Sequence, residues 1–264
     1  MSLPLKWIVI LIVSLVPALA YSIYIRNIEE YKKEPWRYVA LAYLGGGITA
    51  VVFLSFSWFI YGQIEREHEY FQFFRSITNV FIIVILFPVL GEALKAVGLL
   101  TVKKELDEVE DGLIHGAILG LGFGAFANIV YLYNTFTWQF ETVAGFEVPS
   151  LLFLIIAGIS TILFHGSSTA AVGYGISSAL VDHDYLHLGL YFFAGISIHL
   201  LFNLLNIITI YLEVQSGLYY LIGIGGVLLI SNLVFRTIRA RLLKLIEILD
   251  IETHKKRMEQ KKTR

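Results

Sequence analysis

From Ile77 to Leu100 the chain reads ITNVFIIVILFPVLGEALKAVGLL. A run of this length and apolarity is long enough to cross the roughly 30 Å hydrocarbon core of a bilayer as a helix. It carries two charges, Glu92 and Lys95, and both lie well inside the run. An ionisable group at that depth costs about 2.5–3.5 kcal/mol on insertion scales, so it needs a partner or a purpose. Glu92 and Lys95 are three residues apart and share a helix face. They can neutralise each other, or they can face a polar cavity shared with other spans.

Six more runs of the same kind flank this one, near 3–25, 38–61, 112–136, 150–178, 187–212 and 217–235. The composition agrees with them: 57% of the 264 residues are hydrophobic, 16% are charged, and the mean hydropathy is +0.72. Soluble domains carry about 25% charged residues, so a soluble or disordered chain is excluded. With no cysteine there is no disulfide framework, thiolate metal site or cysteine nucleophile. The expected fold is all-α, a polytopic membrane bundle of about seven transmembrane helices over residues 1–235. A basic amphipathic helix, 236–264, follows on the cytoplasmic face.

Lys and Arg set the orientation. With the N-terminus outside, the inner side collects Arg26, Lys32, Lys33, Arg37, Lys103, Lys104 and the basic tail, while the outer side keeps Lys6, Arg66 and Arg75. This is a strong positive-inside bias, and it supports an odd number of spans. Ala18-Leu19-Ala20 has the form of a signal-peptidase site, but cleavage there would leave the first basic loop outside, against the bias. The tyrosines at 21, 24, 31, 219 and 220 read as interfacial anchors, and the surrounding solvent is the lipid bilayer. No nucleic-acid partner is expected.

Other spans offer partners for the buried pair. The fifth has His165 followed by Ser167, Ser168 and Thr169, and the sixth has His199 with Asn203 one turn later and Asn206 beyond. The fourth has Asn128 after Gly116, Gly120, Gly122 and Gly124, small residues that let helices approach closely or leave room for water. Imidazole, carboxylate and carboxamide on facing helices can hold a metal such as zinc, with His165, His199 and Glu92 as ligands, or can polarise a water and a carbonyl. An ion-coupled transporter and a purely structural polar core stay open on these residues alone. A retinal-type pigment is excluded because 217–235 has no lysine, and two-aspartate intramembrane proteases are excluded because no span holds an Asp pair. No His-Glu-x-x-His is present.

Several of these segments together resemble the PrsW family of membrane-embedded proteases, related to the CAAX-prenyl-protease and bacteriocin-processing group. The likeness covers most of 15–207. It runs through Pro17-Ala18-Leu19, Lys33-Glu34-Pro35-Trp36, the Phe87–Lys95 element, Asp111–Ala117, Gly120–Phe123, Asn128–Tyr131, His165, and His199 with Asn203. The resemblance implies cleavage of a membrane protein or peptide within or beside the bilayer, in the plasma membrane of a prokaryote. It implies water activation by Glu92 and His165, carbonyl polarisation by His199 and Asn203, support from Lys95, Asn128 and Asp111, and zinc as the metal if one is used. Two motif glutamates are replaced, by Gly91 and by Ala127. A natural pseudoprotease that still binds a membrane partner, a chain altered to disarm it, and a site in which Glu92 acts alone are the three resulting readings. His115 stands where the family often has Tyr and is expected near the inner interface. His183 and His187 read as part of a solvated turn.

Overall fold

A computed structural model describes residues 3–28, 33–64, 81–138 and 150–213, together with isolated helical positions between Leu229 and Ile248. Helix α1 spans Leu3–Arg26 and α2 spans Trp36–Ile64. A π-helical turn, Ile82–Leu86, leads directly into α3, Phe87–Leu99, which tightens into a 3₁₀ turn at Leu100–Glu105. Helices α4, Val109–Trp138, α5, Ser150–Val181, and α6, Tyr185–Glu213, complete the described bundle. The described residues contain no strand. Among the described residues, five stretches are long and apolar enough to cross a membrane: Pro4–Arg26, Trp36–Ile60, Ile82–Glu105, Val109–Tyr133 and Tyr185–Leu205. They correspond to the first, second, third, fourth and sixth runs read from the sequence. The fifth run is the helix α5. The seventh, 217–235, and the tail, 236–264, fall outside the described residues apart from the isolated positions.

Helix α4 is the central post. Of its most apolar window 78% is buried among the described residues, against 11% for α6. The glycine stripe of α4 explains its position. A Cβ on Gly112 would stand 2.2 Å from the Gly173 carbonyl oxygen, and one on Gly120 would stand 2.1 Å from that of His165. Only hydrogen fits at such crossings, so α4 and α5 meet backbone to backbone. The stripe is therefore filled by α5, and the room for water expected there is absent at these positions. Gly122 on another face of α4 meets Tyr43 of α2 in the same way, at 2.1 Å. Around these crossings lies an apolar core that includes Ala42, Leu113, Ile114, Ile118, Leu121 and Ile162.

The π turn has a cause in the sequence. Pro88 has no N–H, and its ring crowds the carbonyl four residues back. The Phe87 N–H donates to the Ile82 oxygen, five residues earlier. The Ile83 carbonyl thus loses its α-helical donor, Phe87, and its π-helical donor would be Pro88, which has none. Asn203 of α6 supplies the missing bond, its Nδ2 donating to the Ile83 oxygen at 2.9 Å. An unmet carbonyl inside a bilayer is costly, so this bond fastens α6 to the head of α3.

Candidate functional site

Three helices converge on one polar centre. Glu92 and Lys95 come from α3, His165, Ser168 and Thr169 from α5, and His199 from α6. Glu92 and Lys95 are fully buried, and His165 and His199 are nearly so. The Lys95 ammonium lies 2.5 Å from Glu92 Oε1. It also lies 3.2 Å from Ser168 Oγ and 3.4 Å from His165 Nδ1. An ammonium has three N–H bonds, and here each meets an acceptor. The same nitrogen stands 5.0 Å from the centre of the Phe123 ring, within cation–π range.

His199 Nδ1 is 3.0 Å from Glu92 Oε1. A carboxylate only accepts, so Nδ1 carries a proton. His165 accepts at Nδ1 from Lys95 and therefore carries its proton on Nε2. The Thr169 hydroxyl donates to Glu92 Oε2 at 3.4 Å. The two imidazole rings stand edge to face, 4.9 Å apart, and Phe123 packs on His165 at 4.8 Å. His165 is placed by the α4–α5 crossing at Gly120, so the tight glycine packing sets the depth of the site.

The ligand atoms of Glu92, His165 and His199 all lie within 4.8 Å of one another, the only such metal-ligating group among the described residues. One carboxylate and two imidazoles form a donor set used by hydrolytic zinc sites. The donors fit such an ion in kind. The Lys95 ammonium stands among them, however, so an ion would need it to move.

The other residues singled out from the sequence are placed elsewhere. Asn128 donates from Nδ2 to the Gly158 oxygen at 2.9 Å and ties α4 to the N-terminal half of α5. Asp111 accepts from the backbone N–H groups of Asp107 at 3.0 Å and Glu108 at 2.7 Å, which fixes the turn before α4. It stands nine residues before Gly120, about 13 Å along the helix. Asn203 is engaged with the Ile83 carbonyl, with a second amide N–H left to it. His115 is fully buried and pairs with Glu34 at 3.0 Å, joining α4 to the residues just before α2. His187 pairs with Asp184 in the turn before α6, and its backbone N–H donates to Asp184 Oδ1 at 3.0 Å. In that turn the His187 backbone N–H, followed by its side chain, holds the Asp184 carboxyl below the usual carboxylate range.

Position 91 faces the centre: a Cβ on Gly91 would lie 3.1 Å from His199 Cε1. Ala127 adjoins Asn128 on α4. Phe123 was not singled out in the sequence, where one aromatic residue in an apolar span carries no mark. Ser168 and Thr169 were legible from their spacing, since three and four residues after His165 place them on its face.

Residues 34–230 match the model of a family described as PrsW family intramembrane metalloprotease. No curated protein and no solved structure matches the chain. The match begins at Glu34, so Pro17-Ala18-Leu19 lies outside it, while every residue of the polar centre lies within it. The chain belongs to the PrsW family of intramembrane metalloproteases.

Proposed function

We propose that this chain is a membrane-embedded peptidase that hydrolyses a peptide bond of a membrane protein or peptide, with Glu92, His165 and His199 as its working residues. The observation that carries this reading is the convergence of those three side chains, buried and within 4.8 Å, from three separate helices. In a low-dielectric site, fixed donors and acceptors act on developing charge far more strongly than in water. His199, with its Nδ1 proton held by Glu92, offers Nε2 as the base that takes a proton from water. The same imidazole then returns that proton to the leaving amine. The second amide N–H of Asn203, one turn further along α6, donates toward the scissile carbonyl. The same donor set is the alternative to that base: a divalent ion, zinc by its donors, would be held by Glu92, His165 and His199 and would supply acidification of water and polarisation of the carbonyl in place of proton transfer to His199.

A second reading is favoured by one specific observation. Glu92 is engaged by Lys95 at 2.5 Å, and Gly91 and Ala127 supply no second carboxylate. On that reading the chain is a pseudoprotease that keeps the fold and holds a membrane partner.

The test is a proteoliposome assay with a library of single-span peptides and mass-spectrometric detection of products. Cleavage lost in His165→Ala and in Glu92→Gln, with folding retained, supports the peptidase. Peptide cross-linking to the unaltered chain without products supports the pseudoprotease. Peptide-dependent ion flux abolished by Glu92→Gln, without products, would point to a transporter and sink both.

A further inference from the structure

Glu92 brings one negative charge to the centre and Lys95 one positive charge, and the two cancel. Every N–H of the ammonium is matched to an acceptor, at 2.5 Å on Glu92, 3.2 Å on Ser168 and 3.4 Å on His165. Two of those acceptors, Glu92 and His165, are also metal ligands in kind. The lysine thus stands where an ion would stand. A zinc–carboxylate bond is about 2.0–2.2 Å long. An ion at that distance from Glu92 Oε1 and an ammonium 2.5 Å from the same oxygen would be two cations a few ångströms apart in a buried place. Even at the dielectric constant of bulk water, a unit charge about 4 Å from a divalent ion weakens its binding by more than tenfold.

We propose that the Lys95 ammonium is the resident cation of this site, and that it and a divalent ion are alternative occupants of the place between Glu92, His165 and His199. Metal enters when the ammonium retreats along its own flexible stem. The receiving groups are already beside it: Ser168 Oγ at 3.2 Å and the Phe123 ring at 5.0 Å. Lys95 is in this sense a positioning residue that sets how tightly the chain holds metal. The proposal rests on the metal-holding part of the function proposed above.

The test reads metal binding rather than cleavage. The unaltered chain, Lys95→Gln and Lys95→Met are purified in detergent, each also with His165→Ala, and folding is verified by helicity and gel filtration. Cobalt(II) alone is titrated and followed by its visible absorption, and zinc alone by competition against it. The expected result is binding at least about tenfold tighter in both lysine variants than in the unaltered chain, abolished by His165→Ala. Equal or weaker binding in the lysine variants overturns the proposal and leaves the metal site standing. Binding indifferent to His165→Ala overturns it too, because the ion then sits elsewhere. No binding in any form overturns both this proposal and the metal-holding part of the function. Should neither lysine variant fold, a structure of the unaltered chain with zinc bound decides. Nζ withdrawn from Glu92 toward Ser168 supports the proposal, and Nζ still on Glu92 beside a bound ion overturns it.

Discussion

Replacing Asn203 by Leu removes the one donor that reaches the Ile83 carbonyl. That carbonyl has no backbone partner, because Phe87 N–H bonds to Ile82 and Pro88 has no N–H. A partly buried carbonyl left unmet costs about 1–3 kcal/mol. Asn203→Leu should therefore destabilise the protein by roughly that amount. Pro88→Ala supplies the missing N–H and removes the ring that crowds the turn, so the π turn can relax to an α turn. In the Pro88→Ala background, Asn203→Leu should cost less than about 0.5 kcal/mol, the level at which independent sites add. The four proteins of this cycle are compared by equilibrium unfolding in mixed micelles, followed by helicity. Equal cost of Asn203→Leu with and without Pro88 would refute the derivation, and so would a cost near zero in the Pro88 background.

Other outcomes follow from the same geometry. Glu92→Gln or Lys95→Met alone leaves a buried charge unpaired and should cost about 3–5 kcal/mol, while the double variant should cost clearly less than the sum; additive losses in unfolding experiments would deny the pair. Gly120→Ala forces a methyl to within 2.1 Å of the His165 oxygen, so α4 and α5 must part; a loss of about 1–3 kcal/mol and weaker metal binding are expected from unfolding and cobalt titration, and unchanged values of both would count against backbone contact. Asp184 has its carboxyl held low in the folded turn, so its contribution is present above the unfolded value near 3.9 and fades as pH falls through the folded one. Protection of the amides in the first turn of α6, taken relative to their intrinsic exchange rates at each pH, should fall on acidification, and Asp184→Asn should remove most of that pH dependence; the same acid response in Asp184→Asn would exclude this carboxyl as its source.

Much of this arrangement is legible in the sequence. Hydropathy alone placed α1, α2, α4 and α6 to within a few residues, because in a bilayer the apolar run and the helix are nearly the same object. The fifth run was located too, though its middle, His165 to Thr169, is polar and is sheltered by α4 and α6. Glu92 and Lys95 stood out by cost, and the two histidines by their depth. Three things were not legible. Local pattern cannot say that Asn203 meets Ile83, a bond across 120 residues. It cannot say which acceptors the ammonium selects. Nor can it separate Asn128 and Asp111, which tie backbone segments together, from residues that reach the centre, since a polar side chain in a span looks the same in either role.

Helix α6 carries His199, and 11% of its apolar window is buried among the described residues. The other two ligands hang from α3 and α5, and α5 is locked to the central post. Helix α6 is keyed to that frame as well: a Cβ on Gly195 would stand 2.7 Å from the Ser168 carbonyl oxygen, Phe202 packs on Phe164 with ring centres 4.4 Å apart, and Asn203 holds the Ile83 carbonyl. The three ligands are thus delivered by helices that grip one another through packing and hydrogen bonds, and the fold assembles their meeting point before any ion or peptide arrives.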